Sequence, residues 1–314
     1  MKTRNQLSIY LLLLGIAPTA ALADSPGAFA SFTVIDIGRP ANLPPYSAAG
    51  LVFNPANSNG LLLGGIADYP SGHVYNVGLT RDPVTQTITG FDGTFSSAAS
   101  TPYIDGGLSY GPDQYLFFTQ YPNNTIGEIK PGDTSPDYTE ALPGVTSSTG
   151  GLAFIPAGFA GAGNAAISSY SGDSVCSATV NANSDGSFSF GTCTDSVTFG
   201  SSPEGLLYVA AGTPGFSTDA LVVAFYSQSV IVAYQLDSNG MPVLSTGHTI
   251  ATVQNPIGLA LDPVTNDIVT DSINGSINII AAPEPGSFTL ALVLLLAGSR
   301  VQNYYKTTRR NSNV

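Results

Sequence analysis

The chain has 314 residues, enough for one large all-β domain or two ordinary ones. Only 10% of residues are charged and 43% are apolar, and the apolar segments recur throughout, which excludes a disordered chain. Between residues 24 and 282 only Arg39, Arg81 and Lys130 stand against twenty acids. That balance excludes nucleic acid as a partner, because phosphates must be neutralised by Lys and Arg. It suits plain solubility, a divalent cation or a cationic partner.

Residues 1–23 have the three parts of an export signal. Lys2 and Arg4 give a positive start, residues 9–16 are apolar, and Ala21-Leu22-Ala23 offers small residues for cleavage before Asp24. The apolar core is too short for a retained membrane span, which needs about 20 residues.

Residues 24–282 carry a repeat. Its copies begin at Gly50-Leu-Val-Phe-Asn-Pro55, Gly107-Leu-Ser-Tyr-Gly-Pro112, Gly151-Leu-Ala-Phe-Ile-Pro156, Gly205-Leu-Leu-Tyr-Val209 and Gly258-Leu-Ala-Leu-Asp-Pro263. The glycines are 57, 44, 54 and 53 residues apart. Four copies place Pro five residues after the Gly, where it ends a strand because it cannot donate to a ladder. Each copy is followed by two more apolar runs, and the first four by a turn cluster and a fourth strand. Asn183-Ser-Asp-Gly186 and Asp237-Ser-Asn-Gly240 are two of those turns.

Four antiparallel strands per unit make the blade of a β-propeller. The spacing predicts an all-β propeller of five blades, or six if a degenerate copy is hidden, between an N-terminal signal helix and a C-terminal hydrophobic helix. The fifth unit lacks one strand, and residues 32–37 can supply it and close the ring. The motif glycines should permit close packing near the axis. The regular period argues against a pair of β-sandwiches.

The last unit, Pro256-Ile-Gly-Leu-Ala-Leu-Asp-Pro263 with Asp267-Ile-Val-Thr-Asp271, resembles NHL-type and lactonase-like propeller repeats. That resemblance implies the fold; those families hold both enzymes and binding scaffolds.

Cys176 and Cys193 flank the turn at residues 181–186, and in an exported chain they should form a disulfide. Asn181-x-Asn183-x-Asp185-Gly186 looks like the start of a calcium loop. Its twelfth position is Thr192 rather than Glu, so a hairpin is the simpler reading and Ca2+ stays the alternative to no cofactor. Asp105, Glu204 and Asp262 lie beside the first-strand motifs and could bind a metal or a sugar in the channel, or be plain structural carboxylates. Their offsets from the motif glycines differ, and no catalytic set is assigned. Gly107-Leu-Ser109-Tyr-Gly111 matches a nucleophile elbow in letters, but the turn must lead from strand to helix and here a strand follows. His73 and His248 lack ligand spacing and read as strand surface residues. Tyr69, Tyr103, Tyr110 and Tyr121 lie near strand ends and could stack on sugar or fill the core.

The C-terminus begins with Pro283-Glu284-Pro285, continues with the apolar residues 288–298, and ends with Arg300, Lys306, Arg309 and Arg310. The basic flank fits a cytoplasmic stop. The three parts in this order resemble the PEP-CTERM sorting signal of bacteria that make extracellular polysaccharide. The resemblance implies transient membrane anchoring, recognition by an exosortase, and cleavage near residues 283–285. The expected protein is an exported binding or structural propeller of the envelope, with extracellular polysaccharide as a partner. The alternative is a metal-dependent lactonase-like or glycan-cleaving hydrolase. An enzyme should cluster carboxylates at one mouth of the channel, whereas a scaffold should line it with small or apolar residues.

Overall fold

The computed structural model describes residues 27–44, 48–146 and 148–282. The expected signal segment and the Pro283–Arg310 sorting tail, with both terminal helices, lie outside the described residues. Among those described, no helix is long and apolar enough to cross a membrane.

The first strand, β1 (Thr33–Gly38), waits for the last sheet. Blade one is β2 (Ala48–Asn54), β3 (Asn57–Gly65), β4 (His73–Arg81) and β5 (Ile88–Ser100). Blade two is β6 (Ile104–Tyr110), β7 (Leu116–Gln120), β8 (Thr125–Ile129) and β9 (Tyr138–Ala141). Blade three has β10 (Thr149–Phe154), β11 (Asn164–Ser169) and β12 (Ser174–Ala182), then β13 (Phe188–Phe190) and β14 (Thr194–Thr198). Blade four is β15 (Pro203–Val209), β16 (Ala220–Phe225), β17 (Val230–Gln235) and β18 (His248–Thr252). Blade five is β19 (Pro256–Leu261), β20 (Ile268–Ser272) and β21 (Ile277–Ala281).

The predicted five-blade ring therefore holds, and so does its closure. β1 pairs antiparallel with β21, Thr33 opposite Ala281 and Ile35 opposite Ile279, as the fourth strand of blade five. Pro55, Pro112, Pro156 and Pro263 each follow the end of an inner strand.

Blade three differs from the simple meander expected. Its outer edge is in two pieces: β13 pairs with residues 180–182 of β12, and β14 pairs with residues 174–177. Gly191 and Thr192 make the break, and the Cys176–Cys193 disulfide fastens the chain beside it. The pairing of Ser177 with Thr194 brings the residues before them, Cys176 and Cys193, to a Cα separation of 5.6 Å.

Each inner strand bulges at its motif glycine. The register against the second strand slips between residues 48 and 51, 104 and 108, 149 and 152, 203 and 206, and 256 and 259. A bulge re-aims side chains locally. It also presses the glycine against the next blade. A Cβ on Gly151 would strike the Glu204 carbonyl, and one on Gly205 the Ile257 carbonyl. A Cβ on Gly258 would come within 2.6 Å of the Gly50 Cα. Only glycine allows these backbones to meet, as the repeat implied.

The residue opposite the bulge then ties blade to blade. Thr119 Oγ1 accepts from the Gly107 amide (2.9 Å) and donates to the Gly150 carbonyl (2.6 Å). Ser168 Oγ accepts from the Gly151 amide (2.5 Å) and donates to the Glu204 carbonyl (2.8 Å). In blade five Asp271 Oδ1 accepts from the Gly258 amide (2.7 Å), and the Gly50 amide also donates to this carboxylate. Between the blades the apolar residues form continuous cores; Leu51, Leu61 and Leu63 of blade one pack with Ala260, Val269 and Ile279 of blade five.

Candidate functional site

In blades two to five the bulges carry the residue before the motif glycine to the axis. There Gly106, Gly150, Glu204 and Ile257 converge: a Cβ on either Gly106 or Gly150 would lie 2.5 Å from Glu204 Oε2. The two glycines thus leave a seat that the Glu204 carboxylate fills. Above it opens a cavity of about 260 Å3 lined by Asp68, Asp105, Glu204, Tyr121, Tyr170, Tyr226 and Ile257, among others.

The walls come from a second repeated position. Tyr121, Tyr170, Tyr226 and Ile273 each stand directly after the last residue of a second strand, β7, β11, β16 and β20. Tyr170 meets Tyr226 edge to face at 5.9 Å, and its hydroxyl lies 3.1 Å from Ser227 Oγ. In blade one this wall is supplied instead by Ala67 and Asp68; the Asp68 amide donates to the Ile104 carbonyl at 3.0 Å.

The electrostatics follow from burial without a counter-charge. Glu204 is 6% exposed, and its Oε2 has no hydrogen-bond partner. Burial first, then the negative charges of Asp105, Asp68 and Asp271, push its carboxyl well above the usual range. Burial and Asp68 push Asp105 up as well, against a hydrogen bond from the Gly106 amide. Asp68 is exposed at the rim, where partial desolvation by the cavity wall raises its carboxyl to about 6. Burial raises Asp271, beneath the cavity, to about 7, and its Oδ2 is also unpartnered. Burial, then Tyr170, Glu204 and Asp68, raise the Tyr226 hydroxyl.

No base answers these acids among the described residues. Arg39 donates to the carbonyls of Asn274, Leu43 and Pro44. Arg81 is committed to Asp262. Lys130 lies in a cleft on blade two.

The sequence candidates divide accordingly. Asp105 and Glu204 are brought together at the mouth. Asp262 is not: both its oxygens accept from Arg81, at 2.6 and 2.9 Å. Asp185 sits in the β12–β13 hairpin, where the Ser187 hydroxyl and amide hold its carboxylate below its ordinary value. That geometry is a turn, and among the described residues no three His, Cys, Asp or Glu side chains form a group that could hold a metal ion. Ser109 lies inside β6, and the chain passes through a short 3-10 turn at Pro112–Gln114 into another strand, so no nucleophile elbow forms. His73 is half-buried against Tyr75, and His248 is exposed beside Phe29. Of the four aromatic candidates Tyr121 alone lines the cavity.

Asp68, Tyr170, Tyr226 and Asp271 were missed by sequence reasoning. The tyrosines did carry a signal, since a Tyr closes the second apolar run in three of the five units. Another cavity, beside the C-terminal ends of the inner strands, is lined mostly by apolar side chains, Val52, Leu108, Leu152, Leu207 and Leu261 among them.

No family model and no curated protein sequence matches the chain. Among solved structures it is similar to an auxiliary nutrient binding protein from Bacteroides thetaiotaomicron, with 11% identity and a TM-score of 0.45 over 80% of this chain and 77% of that one. It is also similar to glutaminyl cyclase from Myxococcus xanthus, with 10% identity and a TM-score of 0.46 over 80% and 96%. A streptogramin B lyase structure matches with 11% identity and a TM-score of 0.40 over 82% and 99%. None of these likenesses bears on ligand or chemistry, and the five-blade assignment rests on the strand pairing itself.

Proposed function

We propose that this protein is an exported binding module of the bacterial envelope that takes a small ligand at the tyrosine-walled mouth of its propeller. One observation carries the reading. Aromatic walls and converging carboxylates meet over a buried acceptor, Glu204 Oε2, that the protein leaves unpartnered. Concave sites with a few convergent polar groups are where small ligands bind.

Export and sorting rest on the two ends of the chain. Residues 1–23 would direct secretion, and Pro283, Glu284 and Pro285 with the basic Arg300, Lys306, Arg309 and Arg310 would present the tail to an exosortase. The mature protein would then begin at Asp24 and end near residue 283, in or near an extracellular polysaccharide. Intact mass measurement of the protein recovered from cells tests this; a chain keeping both ends would refute it.

A second reading has its own support. Carboxylates do cluster at one mouth, and burial with the neighbouring acids pushes the Glu204 carboxyl up, the direction a general acid needs. A hydrolase reading would require turnover. Assay of lactones and aryl glycosides, beside a thermal-shift screen of sugars and amines, separates the two. Saturable stabilisation without turnover supports the binding module. Turnover abolished by Glu204→Gln would overturn it.

A further inference from the structure

We propose that the ligand of this mouth bears a primary ammonium group, which sits on Glu204 between Asp105 and Asp68 while the tyrosines cover the rest of the molecule. The inference rests on the binding reading and names its ligand class.

The first argument is hydrogen-bond satisfaction. Glu204 lines the cavity, and its buried Oε2 rests over Gly106 and Gly150 without a donor. A buried acceptor without a donor is costly, so the missing partner is an N–H or O–H group. The second argument is charge. Asp68, Asp105 and Glu204 line one cavity, Asp271 lies beneath, and no Lys, Arg or His joins them among the described residues. Carboxyls gathered without a counter-ion hold their protons or take a cation from outside, and a cation that brings its own donors displaces those protons. The third argument is the walls. Tyr121, Tyr170 and Tyr226 line the same mouth, and cations are drawn to aromatic faces.

A primary ammonium meets all three demands. It has three donors and no acceptor, so it can meet Glu204 Oε2 while its charge is answered by Asp105 and Asp68 in the same cavity. A quaternary ammonium has no donor for Glu204. A metal ion needs several oxygens drawn into one shell, and among the described residues no such group of three exists. A neutral sugar brings donors but leaves the charge unanswered. The cavity, about 260 Å3, suits a compact body. An amino sugar or a short alkylamine both carry the required head, and the experiment tells them apart.

Titration calorimetry on the whole protein at pH 7.5 should use glucosamine, n-butylammonium, glucose, tetramethylammonium and Ca2+ as probes. We expect saturable binding of at least one primary amine. Its affinity should exceed that of glucose and of tetramethylammonium about ten-fold or more, the scale of a charge-assisted hydrogen bond. Preference for glucosamine would assign the amino sugar, and preference for n-butylammonium the alkylamine. Glu204→Gln should remove the preference, and Asp68→Asn, at the exposed rim, should weaken it without touching the fold. Binding of glucose as tight as glucosamine, lost in Tyr170→Ala, would overturn the ammonium assignment and leave the binding mouth standing. Binding of Ca2+ alone, or of an amine equally well in Glu204→Gln, would also overturn the assignment. Binding of none of the five at 10 mM (on the order of the weakest useful affinities) would remove both readings.

Discussion

Glu204 Oε2 lies 2.5 Å from where a Cβ of residue 106 would stand. The other atoms near that position, in Gly150 and Ile257, are at 3.4 Å, an ordinary contact distance. Gly106→Ala should therefore move the end of one side chain and leave the fold alone. We expect a melting temperature within a few degrees of the parent and a large loss of ligand binding. Gly151→Ala makes the contrast, since its methyl would strike the Glu204 backbone. That variant should be strongly destabilised, as thermal unfolding of the two side by side will show.

Arg81 in blade one and Asp262 in blade five share two hydrogen bonds with almost no exposure. Arg81 also donates to Asn59 Oδ1 and to the carbonyls of Ser58 and Gln86. Removing one partner of a buried pair leaves the other charge uncompensated, at a cost of about 3–5 kcal/mol. Urea unfolding of Arg81→Ala should show a loss on that scale. The Arg81→Ala, Asp262→Ala double variant should cost less than the sum of the singles.

The disulfide closes a short loop. In the chain-entropy model a loop of about 15 residues is worth about 3 kcal/mol. Reduction, or the paired Cys176→Ser and Cys193→Ser change, should lower the melting temperature by several degrees. The loss should be felt first at β13 and β14, where amide exchange will report it.

Asp271 titrates near 7 when folded, against 3.8 as a free side chain, because it is buried. The folded protein thus holds this proton more tightly than the unfolded chain. Its contribution to stability is full below about pH 4 and is lost as the pH climbs through 7. Glu204 and Asp105 shift in the same direction. Stability of the free protein should decline from pH 5 to pH 8. Asp271→Asn, which keeps an acceptor for the Gly258 amide, should flatten that decline.

Much of the architecture was legible before the structure. The Gly-Leu spacing and the trailing Pro marked five inner strands because the physical need behind them repeats. Backbones meet at the axis, and each strand must stop at the same depth. Closure by residues 32–37 followed from one missing strand and one spare one. The split edge of blade three was not legible, because the repeat predicts one fourth strand after the turn at residues 183–186 and the break at Gly191 depends on tertiary pairing. The site was half legible. Asp105 and Glu204 differ in offset from their glycines, which in a regular strand would send them apart. The bulges, longer in blade two than in blade four, bring both to one mouth. Asp271 was hidden for another reason: it occupies the position that holds Thr119 and Ser168 in other blades, and only the hydrogen bonds reveal that equivalence.

The most direct test of the site is the titration of Glu204 itself. The chain has only four glutamates, Glu128, Glu140, Glu204 and Glu284, so carbon-13 labelling of glutamate carboxyls gives a spectrum that variants can assign. Glu204 should titrate well above its ordinary value of 4.5 in the free protein. Its midpoint should fall when a primary amine binds, because the cation favours the carboxylate. A Glu204 signal with an ordinary midpoint, unmoved by any amine, would contradict the account.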